Sequence, residues 1–167
     1  MLLSLPNLQQ VAEDVREAIR GLCTSGSPAV ERVERLLFEC NPNASPEFPH
    51  QWCDFASFIL GAHLCRITKA EVTLITGEKP NSPFRHLWLR HNKFNLDITC
   101  DQFQGAPAAP LVSTEMPWHD CEYPVQHQQP LASRSRCTLR FERALLGLEH
   151  ALNLEERFVH HALMCMQ

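Results

Sequence analysis

The 167-residue chain lacks several sequence features by which many proteins can be assigned directly to a class. No apolar run approaches the roughly 20 residues of a membrane-spanning helix, since runs such as 144–148 are much shorter. The net charge is −4, so the basic excess typical of nucleic-acid binding is missing. Residues 1–6 have neither a basic leader nor a long apolar stretch, so no secretory signal is expected. The sequence therefore predicts a protein that contacts neither membranes nor nucleic acid and that is cytoplasmic, with export by a route independent of a signal peptide as the alternative.

Closely spaced cysteine pairs are also absent, although cysteine itself is not scarce. No Cys-x-x-Cys motif occurs, which removes the strongest signatures of zinc and redox sites. The chain is long enough to bury an ordinary hydrophobic core, so it does not need a disulfide framework. We therefore expect mostly buried, reduced thiols at the eight cysteine positions, which are Cys23, Cys40, Cys53, Cys65, Cys100, Cys121, Cys137 and Cys165.

What is present is the pattern of a single α+β domain. Helical spacing and Pro, Gly and Asn breaks predict N-terminal helices in 1–45, a helix-and-strand core in 48–125 and C-terminal helices in 137–167. The predicted helices are 8–23, 28–39, 52–66, 137–152 and 155–165, and the predicted strands are 70–76, 84–91 and 94–99. The composition of residues 102–136 predicts a long irregular segment. Within it, three alternatives remain open for His119-Asp120-Cys121, namely a lid, a site rim or exposed surface.

The two predicted strands around Asn92-Lys93 bring polar side chains together on one face. Strand residues alternate between faces, so the odd-numbered leucines point to the core while His86 and Trp88 point to the other side. With a two-residue turn, residue 91 pairs with 94 and residue 88 pairs with 97. His86 and Asp97 then become diagonal neighbours, within reach of an imidazole–carboxylate hydrogen bond.

Cys53 completes a possible catalytic set, because it is predicted at the start of a helix. The helix dipole and the free N–H groups there favour a thiolate. His86 can pair with this thiolate and Asp97 can orient the imidazole ring. Each of the three alone would more often be structural, so the hypothesis rests on the combination. Backbone N–H groups at the helix start are candidate oxyanion donors, and further substrate- or oxyanion-binding candidates are Gln51, Trp52, Trp88 and Gln102.

Three short motifs resemble the papain-like, transglutaminase-like superfamily of cysteine hydrolases, in particular its small bacterial members. They are WCDFAS at 52–57, HLWL at 86–89 and LDITCDQF at 96–103, within about a third of the chain. The resemblance implies Cys53 as nucleophile, His86 as base and Asp97 as orienting acid. It also implies that the Cys-bearing helix packs on an antiparallel sheet. The chain departs from the family pattern at Leu87, where a small residue is usual, and at Glu47, where papain-like proteases have an oxyanion Gln several residues before the cysteine.

These observations favour a cysteine-dependent hydrolase or acyltransferase that acts on amide or thioester bonds of a peptide or protein. Peptidase, amidase, deamidase and transglutaminase chemistry all remain open, and no cofactor or metal is expected. A catalytically silent binding or regulatory protein on the same fold is the alternative. A zinc-dependent interaction protein is a third hypothesis, based on loose His and Cys pairs: His50 with Cys53, His63 with Cys65, and His160-His161 with Cys165.

Overall fold

The computed structural model describes residues 3–40, 42, 47–131 and 139–152. Within these residues the helices are α1 (Leu5–Thr24), α2 (Pro28–Cys40), α3 (Cys53–Thr68), α4 (Pro117–Glu122) and α5 (Leu139–Leu152). The strands are β1 (Thr73–Glu78), β2 (Arg85–His91), β3 (Phe94–Asp97), β4 (Leu111–Ser113) and β5 (Val125–Pro130), with a 3-10 turn at Cys100–Gln102. These helices and a five-stranded antiparallel sheet confirm the predicted α+β class.

The strand order is β4-β3-β2-β1-β5, so β2 lies at the centre of the sheet. In the β2–β3 hairpin, Leu89 pairs with Leu96 and His91 pairs with Phe94. Asn92 adopts a left-handed conformation with φ 54° in the two-residue turn, which is a conformation that asparagine tolerates better than most residues. The predicted register is confirmed over 89–91 and 94–96, whereas the predicted pair of 88 with 97 is not formed, because pairing ends at Leu89 and Leu96.

Strand β1 begins three residues later than the predicted 70–76 and ends two residues later, so that Gly77 belongs to the strand. Gly77 lies opposite His86 in the sheet. A Cβ atom at position 77 would lie 2.6 Å from the Trp88 ring and 2.7 Å from the Tyr123 Cβ. The glycine is therefore required because aromatic side chains pack directly over the strand.

The prediction that residues 102–136 form one long irregular segment is wrong for its described part. This stretch contributes β4, α4 and β5, and β5 pairs along its whole length with β1. Strand β5 is mostly exposed and rich in glutamine, so its sequence has no hydrophobic alternation. Backbone pairing to β1 determines its structure, and periodicity could not have revealed that.

Two apolar clusters occupy opposite faces of the sheet. In the main core, α1 and α3 pack against the face that carries Leu89 and Leu96, while α5 packs on α1, α2 and α3. On the other face, Ile75, Trp88 and Tyr123 form a smaller cluster together with Met116. The side chains that sequence analysis singled out for catalysis on the strands lie on this second face.

The segment after β3 is fastened to the first helix. Arg16 of α1 is 3% exposed and donates to the Ile98 carbonyl oxygen. It also pairs with the Asp101 carboxylate at 2.6 Å. Because the charge is paired and hydrogen-bonded, its burial is tolerated, and the residues that follow Asp97 are held in place.

The helix boundaries mostly match the predicted ones. Helix α1 begins three residues earlier than predicted, α2 begins at Pro28 as predicted, and α3 begins at Cys53 and extends two residues beyond the predicted end. The predicted helix over 155–165 lies outside the described residues. Among the residues described, no helix combines the length and apolar character that a membrane span needs.

Candidate active site

A buried histidine–carboxylate pair forms the centre of the site. The Nε2 atom of His86 on β2 lies 2.5 Å from Oδ2 of Asp97 at the end of β3. Both side chains are buried, with His86 fully inaccessible to solvent. Burial alone would raise the pKa of Asp97, but His86 and His119 more than offset this and hold the pKa well below its usual value. Asp97 is therefore an ionised acceptor, and Nε2 of His86 carries the hydrogen.

The second carboxylate oxygen of Asp97 is held by Thr99. The Thr99 backbone N–H donates to Asp97 Oδ1 at 2.8 Å, and the Thr99 hydroxyl donates to the same oxygen at 3.2 Å. Both contacts are local in sequence, as in the Asx turns that aspartate commonly forms. The carboxylate is thus fixed on one side while its other oxygen faces the histidine.

His119, on α4, is a member of this site that sequence reasoning did not identify as one. Its Nε2 atom lies 2.7 Å from Asp97 Oδ2, the same oxygen that His86 contacts. The imidazole is fully buried, with its ring centroid 4.8 Å from that of Trp88. The sequence offered only the His-Asp-Cys triplet within a segment predicted to be irregular. No hydrophobic periodicity predicted that this histidine would lie near Asp97.

Cys53 lies where helix α3 meets the part of β2 that has no pairing with β3. The pairing of β2 with β3 ends at Leu89 and Leu96, and α3 occupies the next positions along β2. Ser57 donates its hydroxyl to the Leu87 carbonyl oxygen at 3.1 Å. The Leu87 backbone N–H donates to the Cys53 sulfur. The first turn of α3 therefore replaces the missing strand at this edge.

The electrostatics of Cys53 differ from the sequence expectation. A helix N-terminus was expected to favour the thiolate, but burial and then the neighbouring Asp54 raise the pKa of Cys53 well above its ordinary value. The hydrogen bond from Leu87 opposes this rise only in part. The thiol donates to Asp54 Oδ1 at 3.4 Å. The resting state at neutral pH is accordingly a thiol, whose proton must be removed before the sulfur can attack.

Gln102 reaches the backbone just before Cys53. Its Oε1 atom accepts a hydrogen bond of 2.9 Å from the Gln51 N–H, and Gln51 itself has a left-handed φ of 64°. The Gln102 Nε2 atom is buried and has no hydrogen-bond partner among the described residues. An amide donor without an acceptor next to the Cys53 turn is available to a ligand oxygen.

The two tryptophans have different surroundings. Trp52 is fully buried in the main core, where its ring lies 5.8 Å from Phe48. Trp88 is buried on the site face, with its ring 5.7 Å from His86. Packing therefore accounts for Trp52 without reference to a substrate, whereas Trp88 forms part of the wall around the histidine–carboxylate pair.

Aromatic side chains close the site on its outer side. The rings of Phe103 and Tyr123 lie 4.9 and 5.5 Å from His86. Lys79 lies over the Tyr123 ring at 5.1 Å and pairs with Glu122 of α4 at 2.6 Å. Since this ion pair is partly exposed, it stabilises the arrangement only modestly.

One group of described residues has the composition of a metal site. The ligand atoms of His86, Asp97 and His119 lie within 4.8 Å of one another. However, Nδ1 of both histidines is buried without a hydrogen-bond partner among the described residues. If metal ligation moved the hydrogens to Nδ1, both would become buried donors without acceptors, whereas ligating histidines normally donate that hydrogen to a partner. A hydrogen-bonded His–Asp–His cluster fits these surroundings better than a metal centre.

The other histidine and cysteine pairs of the zinc hypothesis do not form such a group. Among the described residues, neither the pair of His50 and Cys53 nor the pair of His63 and Cys65 belongs to a cluster of three possible ligands. His160, His161 and Cys165 lie outside the described residues. The described cysteine side chains are free thiols, namely Cys23, Cys53, Cys65, Cys100 and Cys121.

Comparison of the chain with protein-family models, with curated proteins and with solved structures found no significant match. The function is therefore inferred from the geometry of the site.

Proposed function

We propose that the protein is a cysteine-dependent hydrolase or acyltransferase of the cytoplasm, with a papain-like or transglutaminase-like core. It acts on amide or thioester bonds of a peptide or protein. Cys53 is the nucleophile, His86 the general base and acid, and Asp97 the residue that orients His86. The observation that carries the proposal is the buried 2.5 Å contact between His86 and Asp97, next to the strand residue whose N–H bonds the Cys53 sulfur.

The tautomer of His86 suits this role. Because Asp97 accepts the hydrogen on Nε2, the neutral imidazole leaves its Nδ1 atom as a free acceptor. In the structure the thiol donates to Asp54 and Nδ1 has no partner, so the sulfur must first turn from Asp54 to His86. Nδ1 then takes the thiol proton as the sulfur attacks the carbonyl carbon, and it later delivers this proton to the leaving amine or thiol. Water as acceptor then gives peptidase, amidase or deamidase chemistry, whereas an amine gives transglutamination.

The oxyanion of the tetrahedral intermediate needs donors that are already in position. The backbone N–H of Cys53, at the first position of α3, has no partner within the helix. The unpartnered Nε2 of Gln102 lies near the same turn, since Gln102 bonds the Gln51 backbone. These two groups are our candidates for stabilising the developing negative charge.

Alkylation kinetics test the proposal, with each cysteine followed by peptide mapping after exposure to iodoacetamide. Cys100 is a matched internal control, because it is also buried and burial likewise raises its pKa, while its thiol donates to the Pro107 carbonyl oxygen at 3.4 Å. We expect Cys53 to react faster than Cys100. His86→Ala should lower the alkylation rate of Cys53 alone, by roughly tenfold or more.

A second histidine on the same strand provides the control variant. His91 is equally buried on β2, but it belongs to the opposite face of the strand and contacts Asn92. His91→Gln should leave the rate at Cys53 unchanged. Equal rates at Cys53 and Cys100, or equal effects of the His86 and His91 variants, would contradict an activated nucleophile.

One observation favours the second candidate, a silent binding or regulatory protein. His86 is fully buried, Cys53 is only 7% exposed, and the pKa of the thiol is raised. A substrate carbonyl reaches the sulfur only if the aromatic side chains over the site move. The same alkylation experiment separates the two candidates, since a silent protein predicts slow reaction at Cys53 in every variant.

A further inference from the structure

A cavity of about 310 Å³ lies on the same face of the sheet as the His86–Asp97 pair. Trp88 forms a wall of the cavity and also contacts the cluster, with its ring 4.8 Å from His119. Met116 and Pro117, which lead into α4, line the same space. The volume corresponds to about ten water molecules and is at the small end of ligand sites. It suits one small group adjacent to the proposed catalytic residues.

Arg90 supplies the positive charge of this cavity. Its Nε atom donates to Asn95 Oδ1 at 3.0 Å, which holds the guanidinium in a defined orientation. Among the described residues, no carboxylate forms an ion pair with Arg90. With Nε held by Asn95, the guanidinium that lines the cavity is open to a carboxylate, whose geometry its paired N–H donors match.

Two acidic residues limit the charge of a suitable ligand. Glu115 and Asp120 also line the cavity and are exposed, and Asp120 accepts a hydrogen bond from Gln126. Because both are exposed, water screens their charges more than that of the half-buried Arg90. They oppose a multiply charged anion such as phosphate more strongly than a single carboxylate accompanied by N–H donors.

We propose that this cavity binds one carboxylate group of a peptide or amino-acid ligand, with Arg90 as its partner. The carboxylate is either a chain terminus or the side chain of an acidic residue, since both offer Arg90 the same pair of oxygens. That this ligand is the substrate rests on the proposed function, because Trp88 joins the cavity to the candidate catalytic residues. Binding itself does not depend on Cys53 being active.

Side-chain NMR signals provide a direct test on the full chain. The Arg90 Nε–H and the Trp88 indole N–H are followed while three probes are titrated. N-acetylglutamine carries only an α-carboxylate, N-acetylglutamate α-amide carries only a side-chain carboxylate, and N-acetylglutamine amide carries neither. We expect at least one carboxylate probe to shift both signals. The carboxylate probe that binds more tightly identifies the source of the carboxylate. Equal shifts with the neutral amide, or tighter binding of inorganic phosphate, would overturn the proposal.

A matched pair of arginine variants on β2 completes the test. Arg90→Gln should weaken the binding of the carboxylate probe about tenfold or more, as expected for loss of a charge-assisted hydrogen-bond pair. Arg85→Gln should not, because Arg85 is exposed and pairs with Glu78. If Arg90→Gln does not fold, Arg90→Lys keeps the charge but loses the fork and should still weaken binding. Undiminished binding in the folded Arg90 variant refutes the site, whatever the alkylation of Cys53 shows.

Discussion

Replacing Asp97 with asparagine tests whether this buried carboxylate organises the site. The Asp97 oxygens accept hydrogen bonds from His86, His119 and both donors of Thr99. Asparagine has the same size but only one acceptor oxygen, and its amide turns two hydrogens towards either the imidazoles or Thr99. One pair of buried donors therefore loses its acceptor, whichever way the side chain is oriented.

The size of the effect follows from these contacts. Each buried donor without an acceptor costs about 1–3 kcal/mol, and Asp97→Asn leaves two such donors. We expect the free energy of unfolding at pH 7 to fall by about 3–5 kcal/mol in Asp97→Asn. This is a large part of the 5–15 kcal/mol that is typical of domains, so the variant should be close to unfolding at physiological temperature.

The pH dependence provides an independent check on the same reasoning. The pKa of Asp97 is lowered in the folded protein, so below the unfolded pKa of about 3.9 the unfolded state binds more protons. The stabilisation is complete above that pH and is lost as the pH falls through the folded pKa. The difference between wild type and Asp97→Asn should therefore be constant from about pH 7 to 5 and shrink in stronger acid.

Urea unfolding followed by circular dichroism measures both effects. Asp120→Asn is the control, because Asp120 is exposed and its side chain accepts a hydrogen bond only from Gln126 among the described residues. Its free energy of unfolding should change by less than about 0.5 kcal/mol. A loss below about 1 kcal/mol in Asp97→Asn, or a difference that persists undiminished in acid, would refute the view that the ionised carboxylate holds the cluster together.

Three further variants test other parts of the fold. His119→Ala should slow the alkylation of Cys53 by iodoacetamide less than His86→Ala does, because His119 acts through its contact with Asp97. An equal effect of the two variants would indicate that His119 also acts as a base. Burial lowers the pKa of His63 to about 4, so the free energy of unfolding should fall by about 3 kcal/mol as the pH drops from about 6.5 to 4. In His63→Leu, urea unfolding should no longer show this dependence on pH. Gly77→Ala should destabilise by about 1–3 kcal/mol in thermal unfolding, because its Cβ would meet Trp88; an unchanged melting temperature would contradict this packing.

The hairpin could be predicted because its constraints are local. Alternating side chains in β2 and β3 and the short Asn92-Lys93 turn fix the register, and a slip of one residue would bury the polar set. His86 and Asp97 are only 11 positions apart, so the pairing follows once the turn length is known. The start of α3 at Cys53 was predictable for a similar reason, since Pro49 and the apolar run after Trp52 delimit the helix.

The contributions of residues 102–131 could not be predicted, because they depend on distant partners. Strand β5 has no apolar alternation and forms through backbone pairing with β1. His119 reaches Asp97 across 22 positions, by way of a helix that has only six residues. The neutral resting state of Cys53 was missed as well, since the burial that raises the pKa of the thiol depends on tertiary packing.

A single local motif, Asp97-Ile98-Thr99, connects the fold to the site. The bonds from Thr99 to Asp97 orient the carboxylate towards the histidines. The same bonds turn the chain out of the sheet, because the Thr99 N–H bonds to a side chain where a longer strand would continue the ladder. Strand β3 therefore ends at Asp97 and leaves the Leu87 backbone free for α3. The turn that fixes the acid thus also leaves free the strand backbone to which Cys53 bonds, so one local motif helps to place both Asp97 and the nucleophile candidate.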